Sequence, residues 1–243
     1  MEQVIINGSK WSKSNLKASS FRNGEPLLYA HDLNEWNYAC ENELPAYCIS
    51  ETESEVDGYL YNVFAVIDPR GLFDNTKWMM PRKKDWEELI EFCGGWEIAG
   101  YYLKSKSGWS NGYDCNSKIT CRECKEWNDE YRSKVPCHNC LDKRLEIINH
   151  NGNGLDTFGF DAKPTGQRVG GRVYKNLTYV DRYSSSWWCD PKGELGLFAA
   201  LKKIFFYERQ LILRLRDYEV SACFEDFNRF DGHAIRLFSP YPD

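Results

Sequence analysis

The sequence predicts a protein that combines α-helices with β-strands, and three observations support this. One helix face is indicated by the spacing of four apolar residues, Trp86, Leu89, Ile90 and Cys93. Residues 210–216 instead alternate between leucines and a second set that is mostly arginine, as on a strand with two different faces. Aromatic residues make up 15% of the chain, which favours sheets over a helical bundle.

The N-terminal part contains short elements separated by turns. Residues 4–6 predict a strand, and the Asn-Gly pair that follows predicts a tight turn. Residues 32–40 predict a helix, because an aspartate can cap its start and apolar residues follow at helical spacing. Residues 45–49 predict a second strand. Residues 58–67 are apolar and aromatic, and their periodicity leaves a buried strand and a helical segment both open.

The C-terminal part changes from helical to β patterns. The main helix ends at Gly94-Gly95, a short helix is predicted over 96–103, and most of 105–172 reads as irregular. An apparent loop carries two adjacent tryptophans. Strands are then predicted at residues 172–174, 196–206, 210–216 and 233–238, with a turn near 207–209.

Composition excludes several classes of protein. The chain has 243 residues, of which 42% are hydrophobic and 28% charged, so it is long enough to bury a core. A formal net charge of −5 gives no reason to expect nucleic-acid binding. No apolar run approaches the roughly 20 residues of a membrane helix. The N-terminus lacks the pattern of a secretory signal, so we expect a soluble protein that is cytoplasmic or virion-associated.

The most specific chemical signal is a pair of Cys-x2-Cys motifs. Cys121, Cys124, Cys137 and Cys140 place twelve residues between the two pairs. Four thiolates at this spacing can surround one tetrahedral Zn²⁺, so the sequence predicts one structural zinc ion per chain. Such a closed site has no open position for a substrate, and its role is to organise a loop without a core of its own.

Alternatives to the zinc site remain open at this point. Disulfides and free thiols are the alternatives for the ten cysteines, but the missing signal and the metal-like spacing favour a reducing compartment. His138 lies inside the second motif and is an alternative ligand. Trp127 and Tyr131, between the two motifs, are candidates for a contact surface on the zinc loop.

Several phrases of the chain resemble one protein family. They occur in the family's order: FRNG at 21–24, PAYC at 45–48, GYLYN at 58–62, KWMMP at 77–81, NGNG at 151–154, FGF at 158–160, SSSWW at 184–188 and GHAIR at 232–236. This pattern resembles the FISUMP family, the Fibrobacter succinogenes major paralogous domain. That family is similar to the C-type-lectin-like fold and to the formylglycine-generating enzymes.

The resemblance implies one α+β domain over residues 1–243. In it two helices flank a small twisted antiparallel sheet with long loops, and the two chain ends pair in the same sheet. Residues 113–150 interrupt a stretch that the family runs straight through, so the cysteine motifs lie in an insertion. The chain also departs from the family in having Leu237 where the family has a closing cysteine, and in lacking the export signal common among members.

Other candidate residues have both a functional and a structural interpretation. Arg182, Tyr183, Trp187 and Trp188 either form an exposed surface that binds a ligand or fill the core. Cys189 and Cys223 would form the copper-binding pair of a formylglycine-generating oxidase only if they met in space. The structural alternative is favoured for these two cysteines, and also for His31 and His233. The arginines at 209, 214 and 216 either hold an anion or cover a solvated sheet face.

We therefore expect a non-catalytic binding protein on a C-type-lectin-like scaffold with a structural zinc site. Its ligand would be a glycan or a protein, as in a receptor-binding module. One alternative is an intracellular or virion assembly protein that uses the zinc loop as its contact surface. A second alternative is a copper oxidase similar to the formylglycine-generating enzymes. The step from fold to function rests on family analogy.

Overall fold

The structure, a computed structural model, describes residues 2–49, 57–109, 153–170, 184–190, 209–216 and 221–241. These ranges contain three small sheets and four helices. The mixed α+β class is thus confirmed, although the family resemblance implied one sheet and two helices. The zinc motifs and the predicted strands at 172–174 and 196–206 lie outside the described residues.

The first sheet joins the two ends of the described chain. Strands β1 (Gln3–Ile6) and β2 (Ser9–Ser12) form a hairpin, and β10 (Phe238–Ser239) pairs with the other side of β2. All pairs are antiparallel. Asn7 and Gly8 both have positive φ, 50° and 75°, which is the geometry expected of an Asn-Gly hairpin turn.

The second sheet has the order β3-β4-β5-β9 and lies beside the first helix. Its strands are β3 (Leu28–Tyr29), β4 (Ala46–Ile49), β5 (Tyr59–Asn62) and β9 (Gly232–His233). The β3–β4 pair is parallel and the other pairs are antiparallel. Because β9 comes from the end of the chain, this sheet also joins distant segments.

The two longer helices confirm their sequence predictions. Helix α1 (Leu33–Glu41) starts at Asp32, whose carboxylate accepts the backbone N–H of Glu35, and it buries Leu33, Trp36 and Cys40. Helix α3 (Lys83–Phe92) buries the four apolar residues whose spacing predicted it. It ends where Gly94 adopts φ +96°, a conformation that few other residues accept. Helix α4 (Ala99–Leu103) is shorter than predicted.

Residues 58–67 form a strand and then a helix, so both alternatives hold for part of the segment. Strand β5 runs directly into helix α2 (Val63–Ile67). The change occurs at Asn62, whose side-chain oxygen accepts the N–H of Ala65 and caps the helix. The same side chain also bonds the backbone of Leu44 and Ala46. No described helix is long and apolar enough to cross a bilayer.

The third sheet corrects the prediction of a loop around the tryptophan pair. Strand β6 (Ser184–Trp188) is buried along its whole length and pairs with β7 (Arg209–Arg216), which in turn pairs with β8 (Ala222–Asn228). The hydroxyls of its three consecutive serines all find partners inside the protein. The predicted strand at 233–238 is replaced by β9, β10 and a buried connection between them.

Aromatic rings from all parts of the chain meet in the core. Trp11 lies 4.9 Å from Trp86 and 4.8 Å from Phe238, measured between ring centroids. Trp187 lies 5.9 Å from Trp86 and 6.0 Å from Phe160. These separations are in the range of favourable tilted and edge-to-face pairs, so the rings contribute more than their buried area alone.

We expect Gly232→Ala to destabilise the fold by about 1–3 kcal/mol through overpacking. A Cβ atom at this position would lie 2.6 Å from Cζ2 of Trp36. That ring cannot retreat easily, since it is fully buried and donates to the carbonyl of Phe230 at 2.7 Å. Urea unfolding measures the effect. In a Trp36→Leu background, which makes room, the same substitution should cost less; equal costs in the two backgrounds would contradict this account.

Candidate functional site

Most of the residues that the sequence proposed for binding lie outside the described residues. Cys121, Cys124, Cys137, Cys140, Trp127 and Tyr131 fall within 110–152, and Arg182 and Tyr183 fall within 171–183. The structure does describe both ends of the chain that flank residues 110–152. We refer to this flanking structure, formed by Ser105, Trp109, Asn153 and Gly154, as the neck.

The neck holds the two flanking ends together. The backbone N–H of Trp109 donates to the side-chain oxygen of Asn153 at 3.0 Å, and the N–H of Gly154 donates to the carbonyl of Ser105 at 2.9 Å. Trp109 and Asn153, on either side of residues 110–152, are therefore joined by a direct hydrogen bond. This arrangement is typical of an insertion that a domain tolerates.

Trp109 anchors the neck in the protein interior. Only 3% of this residue is exposed, and its indole N–H donates to the carbonyl of Ala162 at 2.9 Å and to the hydroxyl of Ser105 at 3.1 Å. The ammonium of Lys104 lies 4.7 Å from the ring centroid, within the range of a cation–π contact. The outgoing end is thus fixed by packing, hydrogen bonding and charge.

The returning chain caps helix α4. The last carbonyls of a helix have no partner within it and must be satisfied from outside. Here the N–H groups of Leu155, Thr157 and Ala162 donate to the carbonyls of Tyr101, Tyr102 and Leu103 at 2.9–3.1 Å. The backbones approach so closely at Gly154 that a Cβ atom there would lie 2.5 Å from a carbonyl oxygen. The neck is therefore part of the fold's regular hydrogen bonding.

The tryptophan pair fills the core, which is the structural one of the two interpretations that the sequence left open for these residues. Trp187 is 0% and Trp188 is 1% exposed. The indole N–H of Trp187 donates to the side chain of Asn15 at 2.7 Å, and that of Trp188 donates to the carbonyl of Tyr61 at 2.9 Å. With both faces and both donors used inside the protein, neither ring is available to stack on a sugar.

Ser186 and His233 form a hydroxyl–imidazole pair that is sealed in the interior. The hydroxyl and Nδ1 lie 2.7 Å apart, and both residues are 0% exposed. Burial lowers the pKa of His233 well below its usual range, and the nearby charge of Arg214 acts in the same direction. The imidazole also packs edge-on against Trp188 at 4.7 Å. A nucleophilic pair needs access to substrate, so this pair is structural.

The arginines of β7 have a partner that the sequence did not indicate. Arg214 donates to Glu225 on β8 at 2.9 Å, and Arg216 forms an ion pair with the same carboxylate. Both arginines are largely covered. One glutamate on β8 thus binds two arginines of β7. The arginines hold an anion, as one interpretation of the sequence proposed, but this anion is a carboxylate of the protein itself. The side chain of Arg209 is outside the described residues.

The two cysteines of the oxidase hypothesis are not brought together. The strand register aligns Cys223 on β8 with Arg214 and, one strand further, with Ser186. Two strand spacings separate Cys223 from Ser186 by about 9–10 Å, and Cys189 lies about 10 Å further along the chain. Two thiolates on one ion need their sulfurs within about 5 Å, because each metal–sulfur bond is about 2.3 Å. A shared copper ion does not fit this register.

Two other thiols are poor nucleophiles. Cys40 and Cys93 are buried against helices α1 and α3, and burial raises the pKa of each thiol to about 12. At neutral pH both are therefore protonated. Within the described ranges, no three side chains of His, Cys, Asp or Glu lie close enough together to hold a metal ion.

Comparison with protein families gives one match. The family model of the Fibrobacter succinogenes major domain matches residues 4–221. The chain belongs to this family. The matched range includes the neck on both sides of the cysteine motifs, whereas the closing phrase GHAIR at 232–236 lies beyond it. Neither the curated proteins nor the solved structures include a significant match.

The neck of this Fibrobacter succinogenes major domain was not identified from sequence as a structural unit. A signal was nevertheless present, because the family phrases stop at Gly108-Trp109 and resume at Asn151-Gly152. A break in an otherwise continuous resemblance marks where the flanking residues must meet.

Asp231 is a second residue that sequence reasoning missed. It follows strand β8, is 6% exposed, and accepts the backbone N–H groups of Gly170 at 3.2 Å and Asn228 at 3.1 Å. Burial raises the pKa of this carboxyl from about 3.8 to about 6, although those hydrogen bonds and the charge of Arg214 oppose the shift. The carboxylate ties the turn before β9 to residues 166–170.

We expect the stability contribution of Asp231 to fall as pH rises. A raised pKa means that the folded state binds the proton more tightly than the unfolded state, so stability is lost between about pH 4 and pH 6. Asp231→Asn has no carboxyl group here and therefore lacks this loss. Between pH 4 and pH 7 its free energy of unfolding should rise by about 2–3 kcal/mol relative to that of the native protein. Urea unfolding at several pH values measures the difference.

Asp32→Asn is the control, because Asp32 is exposed and asparagine also caps helices well. This variant removes an exposed carboxylate and leaves the buried carboxyl group of Asp231 in place. If the unfolding free energies of Asp231→Asn and the native protein ran parallel from pH 4 to pH 7, the assignment of a raised pKa to Asp231 would be wrong.

Proposed function

We propose that this protein is a non-catalytic binding module whose scaffold displays the cysteine-rich insertion on the neck. The observation that carries the proposal is the hydrogen bond between Trp109 and Asn153, which brings the ends of the insertion together. A segment held in this way can vary without disturbing the scaffold, which is how binding loops are commonly presented.

The scaffold supports a C-type-lectin-like arrangement. The family resemblance implied that the two chain ends share a sheet, and β1 and β10 lie on either side of β2. The resemblance also implied two helices, and α1 and α3 are the two longer ones among the described residues. Binding residues commonly lie on loops that a rigid scaffold positions, so the analogy agrees with a binding role.

Within the insertion we propose one structural zinc ion bound by Cys121, Cys124, Cys137 and Cys140. The two Cys-x2-Cys pairs supply four thiolates, and neighbouring basic residues offset their negative charge. Thirty or more residues without a core of their own need such a cross-link in order to fold. The ion would be enclosed by its four ligands and would have no catalytic position.

A binding role fits the described residues better than catalysis does. The Ser186–His233 pair has no access to solvent, and the thiols of Cys40 and Cys93 are buried and protonated. The strand register separates Cys189 from Cys223, which removes the main support for a copper oxidase. The described residues thus provide a rigid scaffold rather than a reactive centre.

We place the contact surface on the insertion, with Trp127 and Tyr131 as its aromatic anchors. Because Trp187 and Trp188 are buried, they no longer compete for this role. Aromatic residues dominate protein interfaces, which favours a protein partner such as a neighbouring subunit in a larger assembly. A glycan is the second candidate, because exposed aromatic rings also stack on sugars.

We expect protein purified under reducing conditions without added metal to contain about one zinc ion per chain. The paired substitution Cys121→Ser and Cys124→Ser should abolish binding, because two thiolates do not complete a tetrahedral site. Elemental analysis measures both. Cys223→Ser, which removes a thiol from strand β8, is the matched control and should retain zinc. Native protein without zinc, or with copper instead, would overturn the zinc assignment.

We expect the scaffold to fold without the insertion. Replacing residues 110–152 with a linker of about four Gly and Ser residues bridges ends that already meet, so the melting temperature should change by only a few degrees. The shortened chain should lose partner or glycan binding, measured by sedimentation and on a glycan panel. An unfolded product would show that the insertion belongs to the core, and retained binding would place the contact surface on the scaffold.

A further inference from the structure

Arg236 is a charged side chain in the middle of the aromatic core. It is 0% exposed, and its guanidinium carbon lies 4.4 Å from the ring centroid of Phe160 and 5.8 Å from that of Trp187. Nη1 donates to the carbonyl of Ser12 at 3.0 Å. The cation–π contacts and this hydrogen bond stabilise the charge only in part.

Two further donors of Arg236 have no acceptor among the residues that the structure describes. Nε and Nη2 are buried, and no nitrogen of Arg236 lies within 4.0 Å of a carboxylate oxygen of a described residue. A guanidinium does not escape this cost by losing its proton. Burying a charge without full hydrogen bonding is expensive, so a further acceptor is required at this place.

Asp57 provides the complementary group. Its Oδ1 accepts the backbone N–H of Asn15 at 3.3 Å, while its Oδ2 is buried and receives no donor from the described residues. Asn15 connects residue 57 to Trp187, because its side chain donates to the backbone carbonyl of Asp57 at 2.9 Å and accepts the indole N–H of Trp187 at 2.7 Å. Arg236 packs beside the same indole. Burial lowers the pKa of Arg236, and the charge of Asp57 is the first of the influences that oppose this shift.

The unpartnered atoms therefore match in chemistry but do not touch. Two N–H donors carry a positive charge, one oxygen acceptor carries a negative charge, and their separation exceeds ion-pair distance. Buried polar groups without a protein partner are commonly joined through an internal water molecule, which is nearly as favourable as a direct hydrogen bond. The indole N–H of Trp86, beside the same rings, also has no acceptor among the described residues, so the place is polar enough to hold water.

We propose that an internal water molecule binds between Arg236 and Asp57 and completes a water-bridged ion pair. Its oxygen accepts Nε–H and Nη2–H, and one of its hydrogens is donated to Oδ2 of Asp57. A bound halide ion would satisfy the donors, but the carboxylate would repel it. The bridge joins the end of the chain to residue 57 and, through Asn15, to the segment after β2.

A double-mutant cycle tests the coupling. Asp57→Asn keeps an oxygen for Asn15 but presents a donor or a neutral oxygen to the water, and we expect it to raise the unfolding constant at least tenfold. In an Arg236→Met background the same change should have a much smaller effect, because the positive charge that the Asp57 carboxylate compensates is then absent. Asp161→Asn is the control: the charge of this carboxylate also acts on Arg236, but neither of its oxygens is a buried atom without a partner, so its coupling to Arg236→Met should be much smaller than that of Asp57→Asn.

Water-selective NMR on the full-length native protein identifies the bridging species. We expect cross-peaks from long-lived water to the Nε–H of Arg236 that disappear in Asp57→Asn, and this part does not require Arg236→Met to fold. The melting temperature should be the same in chloride and bromide at equal ionic strength. No water contact at Nε–H, additive substitutions, or a bromide-dependent shift that indicates an anion site would each overturn the proposal.

Discussion

Burying an indole ring costs free energy unless its N–H group finds an acceptor, and at four tryptophans of this protein that requirement connects distant parts of the chain. Four buried tryptophans each donate to an oxygen far away in sequence: Trp36 to Phe230, Trp109 to Ala162, Trp187 to Asn15 and Trp188 to Tyr61. Their rings supply much of the apolar area, while their donors fix the register between elements. The same side chains thus provide apolar packing and the hydrogen bonds that fix how the elements are aligned.

The same requirement explains how the domain accommodates a long insertion. Trp109 is the last described residue before residues 110–152, and its ring is held inside the protein by two acceptors. The returning chain then satisfies the carbonyls at the end of helix α4. Both sets of hydrogen bonds are made by residues on either side of 110–152, which agrees with the proposal that the neck carries an insertion.

Local sequence patterns predicted the elements that pack against apolar neighbours and need no specific polar partner. Helices α1 and α3 and strands β4 and β7 follow from periodicity, capping and turn residues. Strand β6 did not, because a run of three serines resembles a loop until Thr165 and His233 provide partners for the hydroxyls of Ser185 and Ser186. The neck and Asp231 depend on contacts between residues far apart in sequence, which periodicity does not encode.

The polar interior also bears on where function can reside. Asp231, His233 and Arg236 lie within six residues of one another near the end of the chain, and each is used to hold another segment in place. Groups with such partners are poor candidates for catalysis, because a reaction would have to break the contacts that maintain the fold. The structural use of these three groups agrees with the proposed binding role, in which the contact surface lies on the insertion rather than on the described core.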